Sequence, residues 1–451
     1  MVGLHELTAS QIARQIRDKE LSAVEVAESF LARMDALDPQ LQAWVYIDRE
    51  TVLADAQQRQ LELERNPNVG PLHGVPIGVK DIFYTAGIPT TACSKVYQDF
   101  VPTYDAASLA LLKQAGAIML GKTVTTEFAC LDPSETKNPW NPAHTPGGSS
   151  SGSAVSVATR MCPVALGSQT VGSVLRPSSY NGVVGLKPTY GRVSRYGVIP
   201  VSWSLDTVGW MTRTVEDAAL LLQVTAGPDP RDPVVARFSA GDYLSNLESG
   251  ATPRIGLIRP FFMEEADAET RQHVTAALEK LAAAGAIIEE IDLPESFQTA
   301  VDDQQIIMAA EAAAFHKPMY EKQSADYRPL LRAMLGRGLG IDAVTYTGAL
   351  ERRLRFITDM QVLSEKADVL LTPSTPTPAL ADVTNTGNTK FQGPWTSCGL
   401  PTITLPSGLA ESGLPFGLQI VAAPFREERL LSAARWCERV LDVQLTPPIA
   451  A

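Results

Sequence analysis

One lysine and two serine-bearing elbows carry the chemistry this chain could perform. Lys80 lies in the segment HGVPIGVKDIF, and the stretch from Thr145 to Tyr190 holds TPGGSSSGSA and SQTVGSVLRP on either side of a short apolar segment. A lysine and two spaced serines suffice for nucleophilic hydrolysis without histidine, metal or cofactor. In the second elbow, successive backbone N–H groups precede Ser173. A developing oxyanion needs fixed donors of this kind while the adjacent hydroxyl attacks the carbonyl carbon, and losing one costs about 3 kcal/mol in the transition state. The expectation is an acyl-transfer enzyme.

Each of these residues also has a plainer use. A GGSSSGS run standing alone would be a flexible linker. Here AVSVATR follows at once and reads as a helix, so the run is read as a loop opening onto a helix N-terminus. Lys80 serves as a base only when neutral, which requires burial to lower an ordinary lysine pKa near 10.4 by about two units or more. The apolar VPIGVK favours burial; the alternative is a surface lysine paired with Asp81 or Asp105. None of the five histidines lies in a triad motif, and His73 and His144, close to the key motifs in sequence, are read as orienting or packing loops. Gly116-AIML-Gly121-Lys122-Thr123 matches the phosphate-loop pattern letter for letter. A phosphate loop follows a strand and opens a helix, whereas AIML itself reads as a strand after a helix, so nucleotide binding is not expected.

The elements that must position these groups alternate. Thr8-x-x-Gln11 and Ser22-x-x-Glu25 read as capping boxes that start two N-terminal helices. Gly and Pro punctuate a β-rich IGV that leads into Lys80, placing it at a strand end. AASLALLKQAG followed by AIML is a helix-to-strand unit, and RIGLI, a helix over about 268–284 and AIIEEIDL repeat the βαβ logic. Residues 300–360 read as largely helical; DVLLTPS, TITLPSG and FGLQIVAA read as strands, and REERLLSAARWCERVL as a final helix. The predicted fold is α/β, a large mixed β-sheet covered by helices on both faces. One domain is expected over 1–451, with the core motifs at about 69–220 and a variable substrate-pocket region at about 300–395.

Composition sets the outer bounds. With 451 residues, 45% hydrophobic and 20% charged, the chain is an ordinary globular one with a large core. Its net charge of −12 lacks any Lys/Arg run, which speaks against direct nucleic-acid binding. No stretch approaches the roughly 18 apolar residues of a membrane span, and the N-terminus lacks a secretory pattern, so the expected location is cytoplasmic. Cys93, Cys130, Cys162, Cys398 and Cys437 have no CxxC spacing and indicate neither disulfides nor a zinc site. No metal or cofactor is expected.

In this order, PLHGVPIGVKD, GIPTTACS, AGAIMLGKT, NPWNPAHTPGGSSSGSA, GVVGLKPTYGRVSRYGVIP, RTVEDAALLL, GLPTITLPSG and GLPFGLQIV resemble the amidase signature family, the Ser-cisSer-Lys hydrolases, over nearly the whole length. The resemblance implies Ser173 as nucleophile, Ser149 as a bridging serine beside a cis peptide, and Lys80 as the base. It also implies an oxyanion hole of the Thr170, Val171, Gly172 and Ser173 N–H groups and a supporting role for Ser150. Arg176 is expected to anchor a loop, and Phe128, Ala129 and Cys130 to line the pocket. Many relatives read DTGGSIR, whereas this chain has Gln169-Thr-Val171-Gly-Ser173-Val-Leu175-Arg176; Gln169 is expected to replace an acidic residue by hydrogen bonding. A β-branched Val171 resists positive φ and should donate from ordinary backbone.

Among functions in the family, the QTVGS form and the slightly short length favour a stand-alone hydrolase of small apolar or aryl amides, extending to carbamates and urethanes. Its partners would be that small-molecule substrate and a second copy of the chain as a homodimer, with no nucleic acid and no membrane. The alternatives are the A subunit of a glutamine-dependent tRNA amidotransferase and a catalytically silent binding protein. Phe391, Trp395, Met308 and Met319 are candidates for apolar pocket lining or ordinary core.

Overall fold

Both capping boxes form. The Thr8 side chain accepts from Gln11 N at the start of the Ala9–Arg17 helix, and Ser22 and Glu25 cap the Ala23–Leu41 helix reciprocally. The computed structural model describes residues 3–248 and 252–450. Among the described residues, eleven strands form one sheet. In chain order they are β1 (Trp44–Ile47), β2 (Pro76–Lys80), β3 (Ile118–Thr123), β4 (Val164–Gln169), β5 (Val184–Lys187), β6 (Thr207–Thr212), β7 (Arg254–Leu257), β8 (Ile287–Glu290), β9 (Val369–Pro373), β10 (Thr402–Leu409) and β11 (Pro415–Val421).

Their spatial order is β1-β3-β2-β4-β6-β5-β10-β11-β9-β7-β8. The strands β3, β2 and β4 run parallel, as do β9, β7 and β8, while antiparallel pairs join the two groups through β6, β5, β10 and β11. All residues of β2, β3, β4, β6 and β11 are buried. Side chains alternate between faces along a strand, so such continuous burial requires both faces to be covered, and helices cover them. The predicted mixed α/β sheet is the observed one.

The phosphate-loop look-alike behaves as the strand reading predicts. Lys122 is fully buried within β3, donating to the Phe83 carbonyl at 2.6 Å, Thr90 Oγ1 at 2.9 Å and Thr85 Oγ1 at 3.1 Å, with Asp81 Oδ1 at 3.5 Å. Every donor of its ammonium faces protein, so none is left for a phosphate.

The segment between β8 and β9 is helical, with helices Ala300–Gln323, Pro329–Leu339 and Ala343–Ser364. Near them, a separate apolar cluster holds Phe262 stacked on Trp395 at 5.3 Å, with Phe391 and Phe356. Phe391 and Trp395 therefore serve as core. Met319 packs against the main core, and Met308, part of that core, also lines a cavity.

Candidate active site

Parallel strands finish on the same side of a sheet, and that edge is where α/β folds gather their chemistry. Here β2 ends at Lys80 and its neighbour β4 ends at Gln169, with Val79 in register with Leu166. The chain then passes from β4 through Thr170–Val174 into the Leu175–Asn181 helix. The Gly/Ser run forms the other side: the Gly148–Ser149 peptide is cis, and Ser150 precedes the fully buried Ser151–Ala158 helix.

This packing brings Lys80 Nζ within 2.7 Å of Ser149 Oγ and 2.9 Å of Ser168 Oγ. Lys80 is completely buried, and burial brings its pKa down from an ordinary 10.5 to about 7. Neither Asp81 nor Asp105 pairs with it; they face Lys122 and Lys113. Ser150 ties the two elbows together, its N–H donating to the Ser173 carbonyl at 3.4 Å and its hydroxyl to the Ser168 carbonyl at 3.4 Å. Ser173 lines a cavity of about 130 Å3 together with Ala129, Cys130, Thr170, Val171 and Arg176, and Met308, Met334 and Gln305 contribute apolar and amide wall. Phe128 turns away from that cavity, into the rings of His316 at 4.5 Å and Tyr97 at 5.0 Å. Its left-handed backbone, shared with Ala129, directs the two residues to opposite duties.

The loop after β4 is tied down from several sides. Gln169 Oε1 accepts from Val174 N at 2.8 Å and Leu175 N at 3.0 Å, a neutral replacement for a carboxylate at this position. Val171 is not among the residues with positive φ. Arg176 is buried and donates to the Gly148, Gly387 and Thr386 oxygens, which fastens the serine loop to the 386–387 segment. It forms no ion pair among the described residues, and burial lowers its pKa to about 10. His73 bonds the Arg59 carbonyl at 2.8 Å, and His144 closes its own turn through N–H to Asn141 O; neither lines the cavity.

Sequence reasoning passed over Ser168, Asp206, Gln304 and Thr396. Asp206 accepts from Thr170 Oγ1 at 2.5 Å and from Val201 N and Ser202 N, and burial raises its carboxyl to about 6. Only Ser168 had a sequence signal, a hydroxyl at the end of the apolar β4 just before the elbow. Among the described residues no cluster of three or more His, Cys, Asp or Glu side chains could hold a metal ion, and no helix is long and apolar enough to cross a membrane.

A buried lysine on a buried serine, beside a cavity lined by a second serine on an N–H-rich turn, fits an enzyme that breaks carbon–nitrogen bonds. The chain belongs to the amidase family, whose model matches residues 25–431. It is 38% identical to the A subunit of the glutamyl-tRNA(Gln) amidotransferase of Carboxydothermus hydrogenoformans, over 99% of this chain and 99% of that protein. The protein of the same name from Microcystis aeruginosa is 37% identical over 96% and 97%. Among solved structures, 6-aminohexanoate cyclic dimer hydrolase complexed with substrate superposes with a TM-score of 0.90 at 26% identity, covering 100% of each chain. Native peptide amidase from Stenotrophomonas maltophilia gives 0.86 at 28% identity over 98% of each.

These relatives correct two expectations. A stand-alone hydrolase of apolar or aryl amides and carbamates does not stand: the QTVGS form is one loop within a likeness that spans 99% of both chains, and that coverage removes the argument from length. The partner expectation falls with it. A small-molecule amide or carbamate, a second copy of the chain and no nucleic acid do not fit relatives named as one component of an amidotransferase of glutamyl-tRNA(Gln).

Proposed function

We propose that this chain is the amidase component of a glutamine-dependent amidotransferase, the A-subunit type of its relatives, and that it releases ammonia from glutamine for use on a tRNA-linked acyl group. The observation in the site that carries the reading is Arg176. Arg176 lines the cavity beside Ser173, and its guanidinium is buried without a carboxylate and with Nε lacking a hydrogen-bond partner. An uncompensated buried cation suits a substrate that brings its own carboxylate, as glutamine does, and an uncharged aryl amide would leave it unpaired.

Neutral Lys80 has one lone pair and two N–H groups. With one N–H donated to Ser168, the lone pair is free to face Ser149 Oγ, 2.7 Å away. Lys80 then takes the Ser149 proton as Ser149 takes the Ser173 proton, and Ser173 Oγ bonds to the carboxamide carbon. The N–H groups of Thr170, Val171, Gly172 and Ser173 hold the oxyanion. Collapse breaks the C–N bond; the proton returns from Lys80 through Ser149, and nitrogen leaves as ammonia. Water opens the acyl ester by the same relay, giving glutamate and restoring Ser173. In this reading residues 1–451 act as one cytoplasmic domain.

The test is ammonia and glutamate release from glutamine, by the chain alone and with its partner subunits, beside Ser173→Ala. Release that Ser173→Ala abolishes is the expected result. Serine-dependent cleavage of benzamide with glutamine untouched in both settings would overturn it.

A further inference from the structure

A trans peptide points its C=O and its N–H to opposite sides, so a bond that pins one carbonyl also aims the next residue's N–H. Two such pins hold the turn before Ser173. Gln304 Nε2, from the Ala300–Gln323 helix, donates to the Thr170 carbonyl at 3.1 Å. Thr396 Oγ1, from the short Gly393–Ser397 helix, donates to the Val171 carbonyl at 2.7 Å. The N–H groups of Val171 and Gly172 are thereby aimed away from both helices, and with that of Ser173 they have no acceptor among the described residues.

The direction of each pin is determined. Gln169 Oε1 already accepts two backbone N–H groups, so its amide cannot be flipped and Nε2 faces Thr396 Oγ1 at 2.9 Å. A hydroxyl has one proton. Because Thr396 Oγ1 accepts from Gln169, its proton goes to the Val171 carbonyl at 2.7 Å, in preference to the Gln392 carbonyl at 3.3 Å.

We infer that Gln169, Thr396 and Gln304 are positioning residues that preset the oxyanion hole, Gln169 acting through the Thr396 hydroxyl and Gln304 directly. This rests on Ser173 being the nucleophile. A carboxylate at 169 would accept from Thr396, draw its proton off the Val171 carbonyl and release the Gly172 N–H. The amide in place of an acid is therefore part of how this chain builds its hole.

The experiment measures kcat and KM for glutamine and for p-nitrophenyl acetate, an activated ester that reports acylation of Ser173 whatever the natural amide. Thr396→Val and Gln169→Glu should each lower kcat about 10- to 100-fold with KM changed by less than about threefold, the range of a weakened oxyanion donor. Gln304→Met should do the same. Thr396→Ser should bring kcat back to within about threefold of wild type, and Gln169→Glu with Thr396→Val should be no worse than either alone. Circular dichroism melts identify any variant that fails to fold; Gln169→Glu, which removes no volume, and Thr396→Ser, which keeps the hydroxyl and removes one methyl, then decide. Unchanged kcat in the folded variants, a change confined to KM, or additive losses would overturn the inference. Ester turnover with no glutamine turnover would sink the glutamine reading alone, and no Ser173-dependent turnover of either would sink both.

Discussion

In the proposed mechanism burial equips Lys80 for proton transfer, and it also works against the folded state. Its pKa of about 7 makes kcat/KM rise with pH through about 7 and then level, as the neutral base accumulates. A rate profile with no limb near that pH would exclude Lys80 as the base. The same shift has a stability consequence. The unfolded chain protonates this lysine up to about 10.5 and the folded chain only to about 7, so the unfolded state binds more protons between them and stability rises with pH across that window. Below about 7 the penalty is complete. Lys80→Met is therefore expected to lose activity while raising the unfolding free energy at pH 7 by about 2–4 kcal/mol, read from urea melts, with the gain vanishing above pH 10.5. A less stable Lys80→Met protein would mean that its bonds to Ser149 and Ser168 outweigh desolvation. Lys80 and the serines were legible because strand ends and Gly/Ser elbows are local patterns. Asp206 and Thr396 were not, since their partners Thr170 and Val171 are brought to them only by the folded sheet.

At the level of elements, the serine loop is held by how closely its helix is seated. A Cβ on Gly152, at the start of the Ser151–Ala158 helix, would meet the Ala43 carbonyl at 2.3 Å and the Val124 nitrogen at 2.5 Å. Both are backbone, so neither can swing aside. Gly152→Ala is expected to destabilise the protein by about 2–4 kcal/mol and to cut kcat, because the helix must lift and carry Ser149 off Lys80. Thermal melts with the activity assay check this; an unaffected melt would mean that the helix has room. Strand and helix placement was read well from sequence wherever apolar period and caps agree, as in the first two helices, β2 and β3. Phe128 was misjudged as pocket lining because a left-handed backbone at a non-glycine residue leaves no pattern in the sequence.

Over the whole molecule, one sheet joins the motif-rich first half to the variable second half through the β5–β10 pair. Trp210 in β6 and Trp395 in the Phe262 cluster report on the two halves. In urea, fluorescence from single-tryptophan variants at these positions should fall together with activity in one transition; separate midpoints would divide the chain into two domains. The function itself was misread at this scale. Choosing between a free amide and the substrate of a larger assembly depends on likeness spread along the entire chain, and one altered loop carried too much weight. The β5–β10 pairing also matters during translation. Lys80, Ser149 and Ser173 all leave the ribosome early, but β10 comes almost last, and until it arrives β5 presents an unpaired edge and the Thr396 hydroxyl is not in place. On the proposed mechanism the nascent polypeptide holds its nucleophile before the means to use it, and it has most need of a chaperone at the stage when it is still inert.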